Sequence, residues 1–219
     1  MSDLELPARE AAGRYGLDPR LICALCEVES AWKPWAVRHE AGYEYLYGYH
    51  HVFEDSELAA SSTRKLIKDA ARNWFIRAKI VTNYDLNDYA AWQTELLFQQ
   101  TSWGLMQIMG AVARERGFRG WLTELCDPAT NLEWGCRHLC WMIDHNNAYG
   151  LPDFRIKPED LAAAWNAGKA RRISCPKCAG SGDKSKPVYV ECEYCHGTGR
   201  AYTNQSYVDR VVRAMVNYK

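Results

Sequence analysis

At 219 residues and 47% apolar, the chain can bury one substantial core, and its length favours a single domain with at most a small appendage. Its 27 basic residues cancel its 27 acidic ones, so no global field argues for nucleic acid, a membrane surface or an anionic polymer as partner, and any charge argument must be local. No apolar run reaches the ~18 to 20 residues needed to span a bilayer. The segment Met1–Gly16 carries Asp3, Glu5, Arg9, Glu10 and Arg14, with neither a basic n-region nor an apolar h-region. The expectation is a chain made in the cytoplasm without a secretory signal and without membrane insertion. Nine cysteines in that setting point to metal binding or simple burial over a disulfide framework.

In chain order, a polar helix is predicted over Leu4–Arg14, stopped at Tyr15–Gly16. Asp18 followed by Pro19 is an N-cap with proline at the first helical position, and the next helix runs Arg20–Trp32 until Lys33–Pro34 ends it. Tyr43, Tyr45, Tyr47 and Tyr49 recur at a spacing of two, which predicts an extended, half-exposed segment. Their rings, with His50, His51 and Phe53 following, suit either a sugar-binding groove wall or a half-buried strand face. Helices are predicted again over Ser62–Val81, Tyr89–Gln100 and Trp103–Arg116. Asp127–Pro128 opens a long helix, Pro158–Glu159–Asp160 opens one toward Trp165, and Tyr207, Val208, Val211, Val212 and Met215 form one apolar face of a last helix. The fold class is mainly α. Residues 173–200, rich in Cys, Gly, Lys and Ser, break the helical pattern as an insertion, dividing the chain into a domain of 1–172 and 201–219 and an inserted hairpin.

One carboxylate is placed unusually. At about 100° per residue, Leu21, Ile22, Leu25 and Val28 define an apolar stripe, and Glu29 falls within it while Glu27 points away. Burial disfavours the charged form and keeps such a carboxyl protonated near neutral pH, which a general acid requires.

Four short motifs follow in order: Glu29–Ser30, then Trp103-Gly104-Leu105-Met106-Gln107, then Ala164-Trp165-Asn166-Ala167-Gly168, then Tyr207–Val208. This set resembles that of the soluble lytic transglycosylases and goose-type lysozymes over Pro19–Lys169 and Thr203–Lys219. The resemblance implies a lysozyme-like helical fold around a sugar-binding cleft. It makes Glu29 the catalytic acid/base and Ser30 the serine that positions it. Gly104 to Gln107 match the motif beside that glutamate, with Met106 and Gln107 lining the sugar site. Asn166 matches the substrate-contacting asparagine, preceded by Trp165 where tyrosine is commoner, and Tyr207 matches the cleft tyrosine. Trp103 and Trp165 are the cleft candidates among nine tryptophans because they abut motifs; Met106, Trp165 and Tyr207 also read as packing residues.

The implied substrate is the glycan strand of peptidoglycan, and the implied reaction is protonation of the β-1,4 glycosidic oxygen between N-acetylmuramic acid and N-acetylglucosamine by Glu29. As base, the same carboxylate takes the proton from the muramic C6 hydroxyl, giving a 1,6-anhydro product. An inverting lysozyme would need a second carboxylate to activate water. About 75 residues separate Glu29 from Gly104, more than in compact bacterial members. That stretch carries Glu40, Glu44, Glu54, Asp85, Asp88 and Glu95, which leaves hydrolysis as the alternative outcome.

The insertion holds the strongest local motif. Cys175-Pro176-Lys177-Cys178 and Cys192-Glu193-Tyr194-Cys195 each continue as x-Gly-x-Gly, with 13 residues between the pairs. Two Cys-x-x-Cys turns supply a tetrahedral four-thiolate site for one structural zinc, with no open coordination position. The repeats resemble the zinc-binding repeats of DnaJ-type chaperones. Lys169, Arg171, Arg172, Lys177, Lys184 and Lys186 make the surroundings basic, suiting wall polymer, a protein partner or nucleic acid, or a solvated face. Cys23 with Cys26, and Cys136 with Cys140, have spacings for a second metal, against the commoner role of small buried apolar residues.

The leading expectation is thus a peptidoglycan-cleaving enzyme, a phage or prophage endolysin or virion component reaching the wall by holin release or within the particle. The alternatives are a non-catalytic glycan- or partner-binding module and a zinc-ribbon nucleic-acid binder. Zero net charge disfavours the last.

Overall fold

The computed structural model describes residues 2–47, 89–145, 157–168, 170–183 and 191–219. The helix predicted over Ser62–Val81, the aromatics Tyr49, His50, His51 and Phe53, the carboxylates Glu54, Asp85 and Asp88, and Lys169, Lys184 and Lys186 lie outside them. The described chain is mainly α, with seven helices and two small antiparallel sheets. It divides into two compact units, residues 1–28 with 139–219, and residues 29–138.

The first unit begins with α1 (Glu5–Arg14), whose Ala8, Ala11 and Ala12 are buried, while the half-buried Arg9 pairs with Glu5 one turn back at 2.8 Å. Tyr15–Gly16 stops it, and the Leu17 amide bonds back to the Ala12 carbonyl. Helix α2 (Pro19–Ser30) is capped by Asp18, whose Oδ1 accepts from the Arg20 amide at 2.9 Å. Leu21, Ile22, Cys23, Leu25 and Cys26 are fully buried along it, the two cysteines as small apolar residues. The helix ends two residues earlier than expected, because Ala31 and Trp32 both turn left-handed (φ 51° and 62°) before the proline is reached.

In the second unit, β1 (Val37–His39), β2 (Thr101–Trp103) and β3 (Ile108–Met109) form an antiparallel sheet in that order, with Val37 opposite Trp103 and Trp103 opposite Ile108. Helix α3 (Tyr89–Gln99) precedes β2, and α4 (Gly110–Glu115) follows β3. A continuous helix over Trp103–Arg116 is therefore not formed: positive φ at Gly104 (70°) and Gln107 (51°) breaks it into strand, turn and strand before α4 begins. The tyrosine series, as far as Tyr47, is loop and turn, not strand. A 3-10 turn (Leu122–Cys126) leads into α5 (Pro128–Asp144), capped by Asp127, whose carboxylate accepts from the Thr130 amide at 2.8 Å.

Near the end of α4 the Arg116 Nε–H donates to His138 Nδ1 at 3.3 Å, so the imidazole is held as an acceptor. Burial, helped by the Arg116 charge, pushes its pKa down to about 3. Below the ordinary histidine value near 6.5 the unfolded chain takes up a proton that the folded chain refuses. Stability should therefore hold above about pH 6.5 and fall by about 1.4 kcal/mol per unit as pH drops toward 3. Urea titrations from pH 7 to 4 should show this slope flattened in His138→Gln; an unchanged slope would assign the loss to other groups.

The remainder of the first unit contains α6 (Pro158–Ala167), the strand pair β4 (Arg172–Ser174) and β5 (Arg200–Tyr202), and α7 (Gln205–Met215), with α6 packed on α7. Val208 and Val211 are buried, as the apolar face of α7 requires. No helix among the described residues is long and apolar enough to cross a membrane.

Candidate functional site

The Gly104–Gln107 turn is tied from three sides. Asn131, fully buried on α5, donates through Nδ2 to the Trp103 and Leu125 carbonyls, both at 2.8 Å, and its Oδ1 accepts from the Met106 amide at 2.8 Å. Gly104 lies so close to this clamp that a Cβ there would stand 2.3 Å from the Leu125 carbonyl oxygen, so only glycine fits. Gln107 spends its amide internally: Nε2 donates to the Ala36 and Gly104 carbonyls at 2.9 Å each, and Oε1 accepts from the Ser102 hydroxyl at 3.2 Å. The Gly104 amide also donates to the Ala36 carbonyl, at 2.8 Å. The result is a rigid turn welded to the strand that follows α2.

Met106 and Trp103 are core residues. Met106 has no exposed surface, and Trp103, nearly as buried, gives its indole N–H to the Phe98 carbonyl at 3.0 Å and stacks edge-on against the Phe98 ring. Glu29, the penultimate residue of α2, is half-buried and Ser30 beside it is buried. Both belong to the same compact unit as the turn.

Trp35 is the aromatic that sequence reasoning passed over. It is 72% exposed, unusual for an indole, and it precedes Ala36, whose carbonyl the Gly104 amide and the Gln107 side chain both hold. Neither it nor Asn131 carries a motif signal of its own; only the hydrogen bonds disclose them.

In the other unit, Asn166 is exposed near the end of α6, and its Oδ1 accepts from Asn204 Nδ2 at 3.0 Å. Asn204 also donates to the Ala163 carbonyl at 3.1 Å, fixing the start of α7 against α6. Trp165 is half-buried, and Tyr207 is buried on α7 with the Arg210 guanidinium 5.6 Å from its ring centre.

The described carboxylates of the long stretch after Glu29 are engaged or solvated. Glu95 is fully buried and forms a two-pronged ion pair with Arg114, at 2.8 and 3.0 Å. Glu40 pairs with Arg38, and Glu44 is exposed.

At the insertion, the Sγ atoms of Cys175, Cys178, Cys192 and Cys195 all lie within 4.8 Å of one another, close enough to hold a metal ion. The Cys175–Cys192 and Cys178–Cys195 separations are 3.8 and 3.7 Å. A tetrahedron with Zn–S bonds of about 2.3 Å has edges of about 3.8 Å. The two turns face each other: the Cys175 amide donates to the Gly199 carbonyl and the Cys192 amide to the Gly182 carbonyl, both at 2.9 Å. A Cβ on Gly182 or Gly199 would stand 2.2 Å from the opposite backbone, which explains the second glycine of each repeat. Cys23, Cys26, Cys126, Cys136 and Cys140 join no such cluster among the described residues.

Residues 7–187 match the family model described as the transglycosylase SLT domain. That span holds Glu29, the Gly104–Gln107 turn, Asn166 and the first cysteine pair. The second pair and Tyr207 fall beyond it. Comparison with curated proteins and with solved structures gives no match.

Proposed function

The chain belongs to the transglycosylase SLT domain family, and on that premise we propose that it cleaves the β-1,4 bond between N-acetylmuramic acid and N-acetylglucosamine in peptidoglycan, with Glu29 as acid and then base. The family match, which includes Glu29 and the turn that shares its compact unit, carries this reading. Glu29 is half-buried at the end of α2, and the role proposed for it is that of the acid that protonates the glycosidic oxygen. Ser30 would orient it. Asn166, Trp165 and Tyr207 are proposed as sugar contacts, and within the unit that holds Glu29 the residues Trp103, Gly104, Met106 and Gln107 are proposed as a rigid frame.

The anhydro outcome is preferred to hydrolysis because, of the described carboxylates Glu40, Glu44 and Glu95, the first is paired with Arg38, the second is exposed and the third is buried against Arg114. Digestion of purified peptidoglycan followed by mass spectrometry of the muropeptides should yield 1,6-anhydromuramic ends. Reducing ends would replace this reading with a lysozyme, and no products at all would end it. A phage or prophage lysin is the biological setting we propose.

Trp35 adds a stacking platform for a sugar ring. Trp35→Ala should raise KM for glycan strands about tenfold with kcat little changed, the loss of roughly 1 to 1.5 kcal/mol of aromatic contact. An unaltered KM would return Trp35 to an ordinary surface residue.

For the insertion we propose one structural zinc on Cys175, Cys178, Cys192 and Cys195, whose sulfur spacings suit that ion. The residues 173–200 would then be a metal-stapled hairpin within an otherwise continuous domain. Elemental analysis should find about one zinc per chain, lost in the Cys175→Ser, Cys192→Ser double variant. Chelation should melt the hairpin while the far-ultraviolet helical signal persists; zinc-free protein with an intact hairpin would refute the role of the metal.

A further inference from the structure

The cysteine hairpin is more than a staple, because it stands against α7 and encloses a groove there. Two hollows, of about 380 and 620 Å³, share His196, Asp209 and Val212. His196 Nε2 lies 3.3 Å from Asp209 Oδ1 at their junction. Val208 and Val212 line the first hollow, and Val212 and Val216 the second, so an apolar strip of α7 runs beneath both.

The two ends differ in charge. The first hollow is lined by Lys157, Arg172 and Arg200 against Glu159 and, at the junction, Asp209. Arg172 is held by the buried Asp160 at 3.1 Å, but Lys157 and Arg200 form no ion pair among the described residues. The second hollow is lined by the exposed Glu191 and Glu193 against Arg213. A neutral sugar chain has no use for such polarity. It would also find no open ring face here, since Tyr202 is buried with the Arg172 guanidinium 4.7 Å from its ring centre.

We propose that this groove binds the peptide moiety of the wall polymer: a short extended peptide with a carboxylate at the Lys157–Arg200 end and a primary amine at the Glu191–Glu193 end. Stem peptides attached to muramic acid carry both groups on one small chain, and the accessible Val212 of α7 and Val216 at its C-cap would accept their alanine methyls. The same helices, α6 and α7, carry Asn166 and Tyr207. One pair of helices would thus hold sugar through those residues and peptide through the hairpin-covered groove. The inference rests on the peptidoglycan reading above, and it gives the inserted repeats a task, that of building the second wall of a substrate site.

The test is calorimetric titration of the zinc-loaded full chain with a synthetic stem tetrapeptide bearing a free carboxylate and a lysine-type amine. Binding should be seen, weakened about tenfold by Arg200→Glu and by Glu191→Lys taken separately. Neither change should alter the melting temperature or binding of a chitooligosaccharide. No peptide binding, or binding indifferent to both reversals, overturns the proposal. In a second arm, wild type should cleave peptide-bearing glycan faster than amidase-stripped glycan, and Arg200→Glu should lose only that difference. Equal cleavage of both by wild type overturns the groove and leaves the enzyme. If neither glycan is cleaved, the enzymatic reading fails, and the titration still judges the groove.

Discussion

Glu29→Gln should leave the chain folded and lower kcat/KM on purified peptidoglycan by about 10³-fold or more. The substitution keeps the size and hydrogen-bonding reach of the side chain at the end of α2 and removes only its transferable proton. One positioned acid or base typically supplies 10² to 10⁴ in rate, and the proposed mechanism asks one side chain to do both tasks in sequence. The loss should fall on kcat, because the substitution leaves the proposed sugar contacts Asn166, Trp165, Tyr207 and Trp35 in place and KM would report them. Release of soluble muropeptides gives the rate, and the melting curve guards against misfolding. Activity within tenfold of wild type would remove Glu29 from the chemistry, whatever its motif. Glu27 is the internal control: its carboxylate accepts from the Tyr218 hydroxyl at 2.6 Å, a bond that fastens the chain's end within its own unit. Glu27→Gln should cost stability, with rate preserved below the melting temperature.

Local chemistry accounts for most of what could be read without coordinates. The Asp18 and Asp127 caps, the Gly16 stop and the Pro158 start are decided within four residues of themselves, and each helix begins or ends where those residues demand. The four-cysteine cluster was equally legible, since two Cys-x-x-Cys turns leave few other arrangements. The failure at Trp103–Arg116 has the opposite cause. Its residues suit a helix, but Gln107 adopts a left-handed φ because its amide is shared between Ala36, Gly104 and Ser102, partners up to 71 positions away. Tertiary packing likewise decides which aromatic faces solvent. Trp103 abuts a motif and lies buried; Trp35 abuts none and lies open. Asn131 had no signature, because its function is to satisfy backbone groups of a turn 25 to 28 residues away.

The Glu95–Arg114 pair yields the largest expected loss of stability. Glu95 on α3 and Arg114 on α4 are both fully buried, and Arg114 Nη1 also donates to the Phe118 and Gly120 carbonyls at 3.0 and 2.9 Å. Gln99 extends the network, giving Nε2 to Glu95 at 3.1 Å and accepting the Tyr47 amide at 2.8 Å. Glu95→Gln would leave the guanidinium buried without a counter-charge, at a cost of about 3 to 5 kcal/mol. Equilibrium urea unfolding measures it. The double replacement Glu95→Leu with Arg114→Met should recover only part of that loss, because two charges removed together need no desolvation while the Phe118 and Gly120 carbonyls and the Gln99 amide lose their partners. A cost under 1 kcal/mol for Glu95→Gln would mean that water reaches the pair. The consequence reaches the site, since α3 runs into β2 and α4 leaves β3, the two strands joined by the Gly104–Gln107 turn. The same variant also separates the two chemical outcomes. If Glu95 is architecture, Glu95→Gln cleaves glycan at near the wild-type rate at temperatures where it remains folded, and makes the same anhydro ends. A folded but inactive Glu95→Gln would instead make this carboxylate a participant in the chemistry, and its partner Arg114 the group that holds it in place.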